Sequence, residues 1–93
     1  MYIMHIEKEI EWNAEKAELL RKTRGIDLNE IAVKIKAGDC KIIPVDNQID
    51  HNGQMMFLVE HNNYIHCIPF VEDDKSIFLK TAFRSRKHQK EGL

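Results

Sequence analysis

The hydrophobic period of the chain changes at Gly38, and this change constrains the fold more than any other feature. Before Gly38, apolar residues recur every three or four positions, which is the period of a helix with one buried face. After it, apolar residues come in short runs typical of strands: "CKIIPVD", "MMFLVE", "YIHCIPFV" and "SIFLKTAF". Because short, turn-rich segments join these runs, consecutive strands are expected to pair antiparallel.

The first part of the chain carries start and stop signals for two helices. Asn13 is a favourable N-cap, and Gly25 stands where a left-handed C-cap is needed. Asp27 and Glu30 have the spacing of a capping box for the second helix, which Gly38 ends. We therefore predict an α+β fold in which two N-terminal helices pack on one antiparallel four-stranded sheet. A short extra strand at "EIEW", before the first helix, is also possible.

Length and composition predict one ordinary globular domain, covering 1–93. The chain has 93 residues, of which 43% are hydrophobic and 31% charged, with a net charge of -1. No apolar run approaches the roughly 18 residues that a membrane span needs, and the first residues are too acidic for a secretory signal. The two cysteines, Cys40 and Cys67, do not form a disulfide framework. We expect a cytoplasmic protein without a membrane partner.

A basic cluster closes the chain in "IFLKTAFRSRKHQKEGL". If the last strand is regular, alternation places Lys80 and Arg84 on one face, and Arg86 follows when the strand continues. These side chains would then lie in a row with steps of about 7 Å, close to the spacing of phosphates along an extended single strand. The alternative is a solvated basic terminus without a function, which the cluster alone does not exclude.

A second basic group, "RKTR", ends the first predicted helix and contains Lys22 and Arg24. Basic residues in the last turn offset the helix dipole, and this structural role explains them adequately. The functional alternative is that this end of the helix faces the same groove as the last strand.

The segment "IEWNAEKAELLRKTRGIDLNE" contains a spaced set of residues: Glu11, Trp12, Asn13, Lys16, Arg24, Gly25 and Ile26. This set resembles the opening of BrnT-type toxins, the ribonuclease halves of bacterial type II toxin–antitoxin pairs, with Asn13 for the usual Asp. The closing "FRSRK" is similar to the family's Ile-Ser-Ala-Arg-Lys signature, and it matches at Arg86 and Lys87. The resemblance spans roughly residues 10 to 90 and implies a RelE-like fold.

The resemblance implies a metal-independent endoribonuclease that cleaves RNA and inhibits growth, with no cofactor. RNA supplies its own nucleophile, the 2′-hydroxyl, so positive side chains suffice to position and stabilise the reacting phosphate. On this basis the expected catalytic residues are Lys80, Arg84 and Arg86, and the expected RNA-binding residues are Lys22, Arg24 and Lys87. The implied partner is a cognate antitoxin, through which alone the protein would contact operator DNA.

A non-catalytic module that binds RNA or protein through the same basic rim remains the alternative. The turn "VEDDKS" and Thr81 stand where a family member carries arginines. The acidic turn is interpreted as a solvated turn, or else as a surface for a basic antitoxin segment. His61 and His66, with Cys67, match no zinc spacing, and we expect an exposed turn histidine and a buried cysteine instead.

Overall fold

A computed structural model describes residues 8–45 and 54–86 of the chain. The described part confirms the α+β class with two helices. In chain order its elements are β1 (Glu9–Trp12), α1 (Ala14–Arg24), α2 (Leu28–Lys36), β2 (Lys41–Pro44), β3 (Met55–His61), β4 (Tyr64–Glu72), β5 (Ser76–Leu79) and β6 (Phe83–Arg84). Neither helix has the length and apolarity needed to cross a bilayer.

Helix α1 begins and ends where the local signals predict. The side chain of Asn13 accepts a hydrogen bond from the backbone N–H of Lys16 at 2.9 Å, which satisfies one of the unpaired donors of the first turn. At the other end, Gly25 has a φ of 67°, and its N–H donates to the carbonyl of Arg21. A left-handed residue at this position closes the last turn, and glycine adopts that conformation without steric cost.

Helix α2 begins at the predicted cap, but the capping box is not formed. Asp27 accepts from the N–H of Asn29 at 2.9 Å. Glu30, which the spacing assigns to the return bond, directs its carboxylate to His61 on β3 instead, at 2.8 Å. The side chain of Glu30 therefore connects helix and sheet rather than closing its own first turn.

The sheet is mixed and has six strands among the described residues, so the prediction of an antiparallel four-stranded sheet was wrong in detail. The strand order is β1-β5-β4-β3-β2, and β6 pairs with β4. The predicted extra strand "EIEW" is present as β1, and it pairs parallel with β5. The physical reason is that Ile10 and Trp12 extend the apolar face of β5, where they lie opposite Ile77 and Leu79. Joining that edge partly buries them against the core.

The core lies between the two helices and one face of the sheet. On α2, Leu28, Ile31 and Ile35 are at most 1% exposed. Beneath them Phe57 stacks on Phe70, with ring centroids 4.2 Å apart. Each fully buried side chain of this size stabilises the fold by about 1.5–3 kcal/mol relative to exposure. This packing fixes both helices on one face of the sheet, which is called the helix face below.

A one-residue bulge separates β5 from β6, so the last strand is not regular. Phe70 lies opposite Leu79, and Cys67 lies opposite Phe83. Between these two pairs, β4 contributes two residues, 68 and 69, whereas the other strand contributes three, 80 to 82. One extra residue is therefore accommodated in the 80–82 segment, which is the definition of a β-bulge.

The bulge coincides with Pro69 and changes the face on which Arg84 lies. The N–H of Lys80 donates to the carbonyl of Pro69 at 2.9 Å, but a proline has no N–H to donate in return. Beyond this point, Arg84 lies opposite His66, on the helix face. Lys80 retains the opposite face. The prediction of one row containing both side chains was wrong, because regular alternation does not continue through a bulge.

Candidate nucleic-acid interface

The helix face of the sheet changes from apolar to polar toward the turn between β3 and β4. Phe57 lies opposite Ile68 in the core, and neither is exposed. The next helix-face pair along the strands is Val59 with His66, and the last is His61 with Tyr64. Arg84 on β6 is the neighbour of His66, and its guanidinium lies near Gly25 at the end of α1. The polar end of this face therefore lies beside the end of α1.

Arg84 lies against the C-terminal end of α1. A Cβ atom added to Gly25 would lie 3.7 Å from Nη2 of Arg84, so the guanidinium is in van der Waals range of the helix cap. The C-terminal end of a helix carries a partial negative charge, which favours a cation there. Helix α1 and strand β6, which are far apart in the sequence, are therefore in contact here.

Arg24 fastens the same end of α1 to the bulge. Its Nη1 donates to the carbonyl of Ala82 at 2.8 Å, across 58 residues of sequence. Ala82 is fully buried, so this bond satisfies a carbonyl that water does not reach. A guanidinium has five N–H donors, so the bond to Ala82 leaves donors that can contact another ligand. Within residues 8–45 and 54–86, no carboxylate forms an ion pair with Arg24 or Arg84.

His66 is a buried, neutral imidazole beneath this junction. It is 2% exposed, and its Nδ1 lies 2.9 Å from the carbonyl of Tyr64, to which an Nδ1–H donates. Burial lowers the pKa of His66 below its usual value, and the charge of Arg84 lowers it further, against the raising effect of the Tyr64 carbonyl. A second positive charge beside Arg84 is thus avoided at neutral pH.

Glu30 and His61 form a carboxylate–imidazole pair that the sequence did not reveal. Nε2 of His61 lies 2.8 Å from Oε1 of Glu30, and the His61 ring centroid is 6.0 Å from that of His66. The expectation of an exposed turn histidine was wrong: His61 ends β3, and its side chain is only 12% exposed. Glu30 and His61 are 31 positions apart, so no local spacing in the sequence predicts their contact. The capping-box spacing also gave Glu30 a different predicted role.

The other predicted site residues do not all lie on the surface that carries Arg24 and Arg84. Arg86 is exposed and directly follows Ser85, whose N–H donates to the carbonyl of Ile65 at 3.0 Å. Lys22 is exposed in the last turn of α1, 3.7 Å from Glu18. Lys80 is exposed on the opposite face of the sheet. Lys87 lies outside the described residues.

The acidic turn between β4 and β5 has a structural explanation. One carboxylate oxygen of Asp73 accepts from the N–H groups of Lys75 and Ser76 at 2.9 and 2.8 Å. These bonds hold the pKa of Asp73 below its usual value. Glu72 forms an ion pair with Lys8 at 2.8 Å. At least two of the turn acids thus stabilise local structure.

The potential metal ligands of the described residues are dispersed. No cluster of three or more His, Cys, Asp or Glu side chains with metal-binding geometry is found among residues 8–45 and 54–86. Cys67 is buried, as predicted, and packs with Met56, Leu58 and Ile65 on the face opposite the helices. His66 faces the helices, so these two neighbours cannot share one ion.

Comparison with known proteins adds no identification. No protein-family model matches the chain, and no curated protein matches it either. The arginines at the end of α1 are therefore the main structural indication of function.

Proposed function

We propose that this protein is a metal-independent endoribonuclease, the toxin of a type II toxin–antitoxin module of BrnT type with a RelE-like fold. One observation carries the proposal: Arg24 and Arg84 both lie where the end of α1 contacts the bulged strand, Arg24 bonded to Ala82 and Arg84 beside Gly25. The two arginines belong to the two segments on which the resemblance depends. Segments about 60 positions apart in the chain thus contribute to one surface.

The arrangement suits a phosphodiester of single-stranded RNA. Each guanidinium is a planar fork of donors that matches a phosphate, and neither arginine is neutralised by a described carboxylate. Cleavage by the 2′-hydroxyl passes through a phosphorane-like state with more negative charge than the ground state. Fixed cations beside that position therefore stabilise the transition state more than the substrate.

We assign the reacting phosphate to Arg84 and a flanking phosphate to Arg24. Arg86 lies two residues beyond the end of β6 and is exposed, and we assign it to an extension of the same surface along the RNA backbone. Lys80 has no part in this assignment, because it lies on the other face of the sheet. The protein would be neutralised by a cognate antitoxin and would reach operator DNA only through it.

Cleavage of a short single-stranded RNA tests the proposal, with Arg84→Ala and Lys80→Ala as matched variants. Each removes one exposed positive charge near the same strand, but on opposite faces. We expect Arg84→Ala to lower kcat by about 10²–10³-fold, as loss of one transition-state donor does, and Lys80→Ala to leave cleavage unchanged. The same RNA with 2′-O-methyl groups should bind without being cut.

Two results would contradict this assignment. Equal losses in both variants would show that net charge, and not the surface at the end of α1, determines activity. Binding of RNA without any cleavage by the wild-type protein would reject the ribonuclease and leave an RNA-binding module. In cells, induced expression should arrest growth, and Arg86→Ala should relieve the arrest.

A further inference from the structure

Glu30 is placed to orient an imidazole. Its carboxylate accepts from Nε2 of His61 at 2.8 Å, across the gap between α2 and β3. When Nε2 carries the proton of this bond, Nδ1 of a neutral His61 carries a lone pair and can accept a proton. A carboxylate that holds an imidazole in one tautomer, and stabilises it once protonated, is the supporting group of many general bases.

His61 and Arg84 lie on the helix face on either side of β4, His61 opposite Tyr64 and Arg84 opposite His66. His61 ends β3 and Arg84 lies on β6, and β4 with its buried His66 runs between them. Neighbouring strands are about 4.8 Å apart and the two positions are offset by two residues along β4, so the two backbones are separated by about 12 Å. A ribose–phosphate link bound between them would lie within reach of the arginine on one side and the imidazole on the other.

His61, and not His66, is the imidazole that a substrate can reach. His66 is 2% exposed, whereas the side chain of His61 is 12% exposed and its partner Glu30 is 59% exposed. Among the described residues, the titratable groups near His61 include Glu30 and Lys34 on α2, the latter donating to the carbonyl of Glu60 at 2.7 Å, and Tyr64 and His66 on β4. His66 packs against the edge of this arrangement and is a positioning residue at most.

We propose that His61 is the general base of the site and that Glu30 orients it, an inference that rests on the proposed ribonuclease function. Nδ1 of His61 takes the proton of the ribose 2′-hydroxyl while the 2′-oxygen forms a bond to phosphorus. The bond from phosphorus to the 5′-oxygen breaks, and solvent water protonates that oxygen. The hydroxide left behind takes the proton from the imidazolium. The products are a 2′,3′-cyclic phosphate and a free 5′-hydroxyl.

The test measures RNA cleavage against pH for the wild-type protein and for His61→Gln, Glu30→Gln and Glu60→Gln. Glu60 precedes His61 on β3 and is exposed on the opposite face, so its variant removes the same charge away from the site. We expect His61→Gln to lower kcat by about 10²–10⁴-fold and to abolish the acidic limb of the profile. Glu30→Gln should lower kcat by about 10–100-fold, as loss of a charge-assisted hydrogen bond does. Glu60→Gln should have no effect.

Chemical rescue distinguishes a base from a structural residue. Imidazole added to His61→Gly should restore part of the cleavage, and it should not restore Arg84→Ala; thermal unfolding shows whether each variant is folded. Cleavage by His61→Gln with an unchanged pH profile would overturn this inference and leave the ribonuclease intact. No cleavage by the wild-type protein would overturn both. Rescue by imidazole, with 2′,3′-cyclic phosphate as the product, would support both.

Discussion

Arg24→Ala should destabilise the protein far more than Arg21→Ala, although both remove an arginine from the last turn of α1. Arg24 donates to the carbonyl of Ala82, which is fully buried, so its loss leaves an unsatisfied acceptor inside the protein. A hydrogen bond from a charged group contributes about 1.5–3 kcal/mol, and we take about 1.5 kcal/mol because the guanidinium is exposed. Among residues 8–45 and 54–86, the ion pair of Arg21 is with Glu18 on the surface of the same helix, a contact worth about 0.3–0.5 kcal/mol.

These values translate into a clear difference in thermal unfolding. For a domain of this size, 1 kcal/mol shifts Tm by about 4–8 °C, so Arg24→Ala should lower Tm by about 6–12 °C and Arg21→Ala by about 1–4 °C. Helix propensity and the dipole contribution change in the same way in both variants and cancel in the comparison. Circular dichroism during heating measures both values. Equal shifts in Tm would refute the conclusion that Arg24 fastens the helix to the bulge.

Two further predictions concern stability. Because burial lowers the pKa of His66 in the folded state, the unfolded chain binds more protons in mild acid. The free energy of unfolding should therefore fall as the pH drops below about 6.5. Urea titrations should show a smaller difference in this free energy between pH 7 and pH 5 for His66→Phe than for the wild type. On α2, Ile35→Ala should lower the free energy of unfolding by about 2–5 kcal/mol because Ile35 is fully buried. Val33 is 69% exposed, so Val33→Ala should lower it by less than about 0.5 kcal/mol in the same titrations. Similar losses in the two variants would contradict the assignment of the buried side of α2.

The helices and their ends could be predicted because their signals are local. Asn13 and Gly25 act on the turn to which they belong, so a window of a few residues contains the needed information. The parallel pairing of β1 with β5 depends on apolar residues more than 60 positions apart, and no local pattern encodes it. For the same reason, the sheet was predicted as antiparallel.

The site was harder to predict because it depends on the bulge. Alternation through 80–84 places Lys80 with Arg84, and a single extra residue reverses that relation. Pro69 has no backbone N–H and therefore interrupts strand pairing, but the sequence does not show which strand faces it. The contact between Glu30 and His61 likewise arises only when α2 packs over the end of β3.

The central claim is that the end of α1 and the strand after the bulge form one phosphate-binding surface on the helix face. Backbone amide chemical shifts, followed by NMR during titration with a 2′-O-methyl RNA oligonucleotide, test it most directly. We expect the largest changes at Gly25, His66 and Arg84, and none at Lys80 or Phe78 on the other face. Changes centred on Lys80 and Phe78, or no changes at Gly25 and Arg84, would contradict the claim.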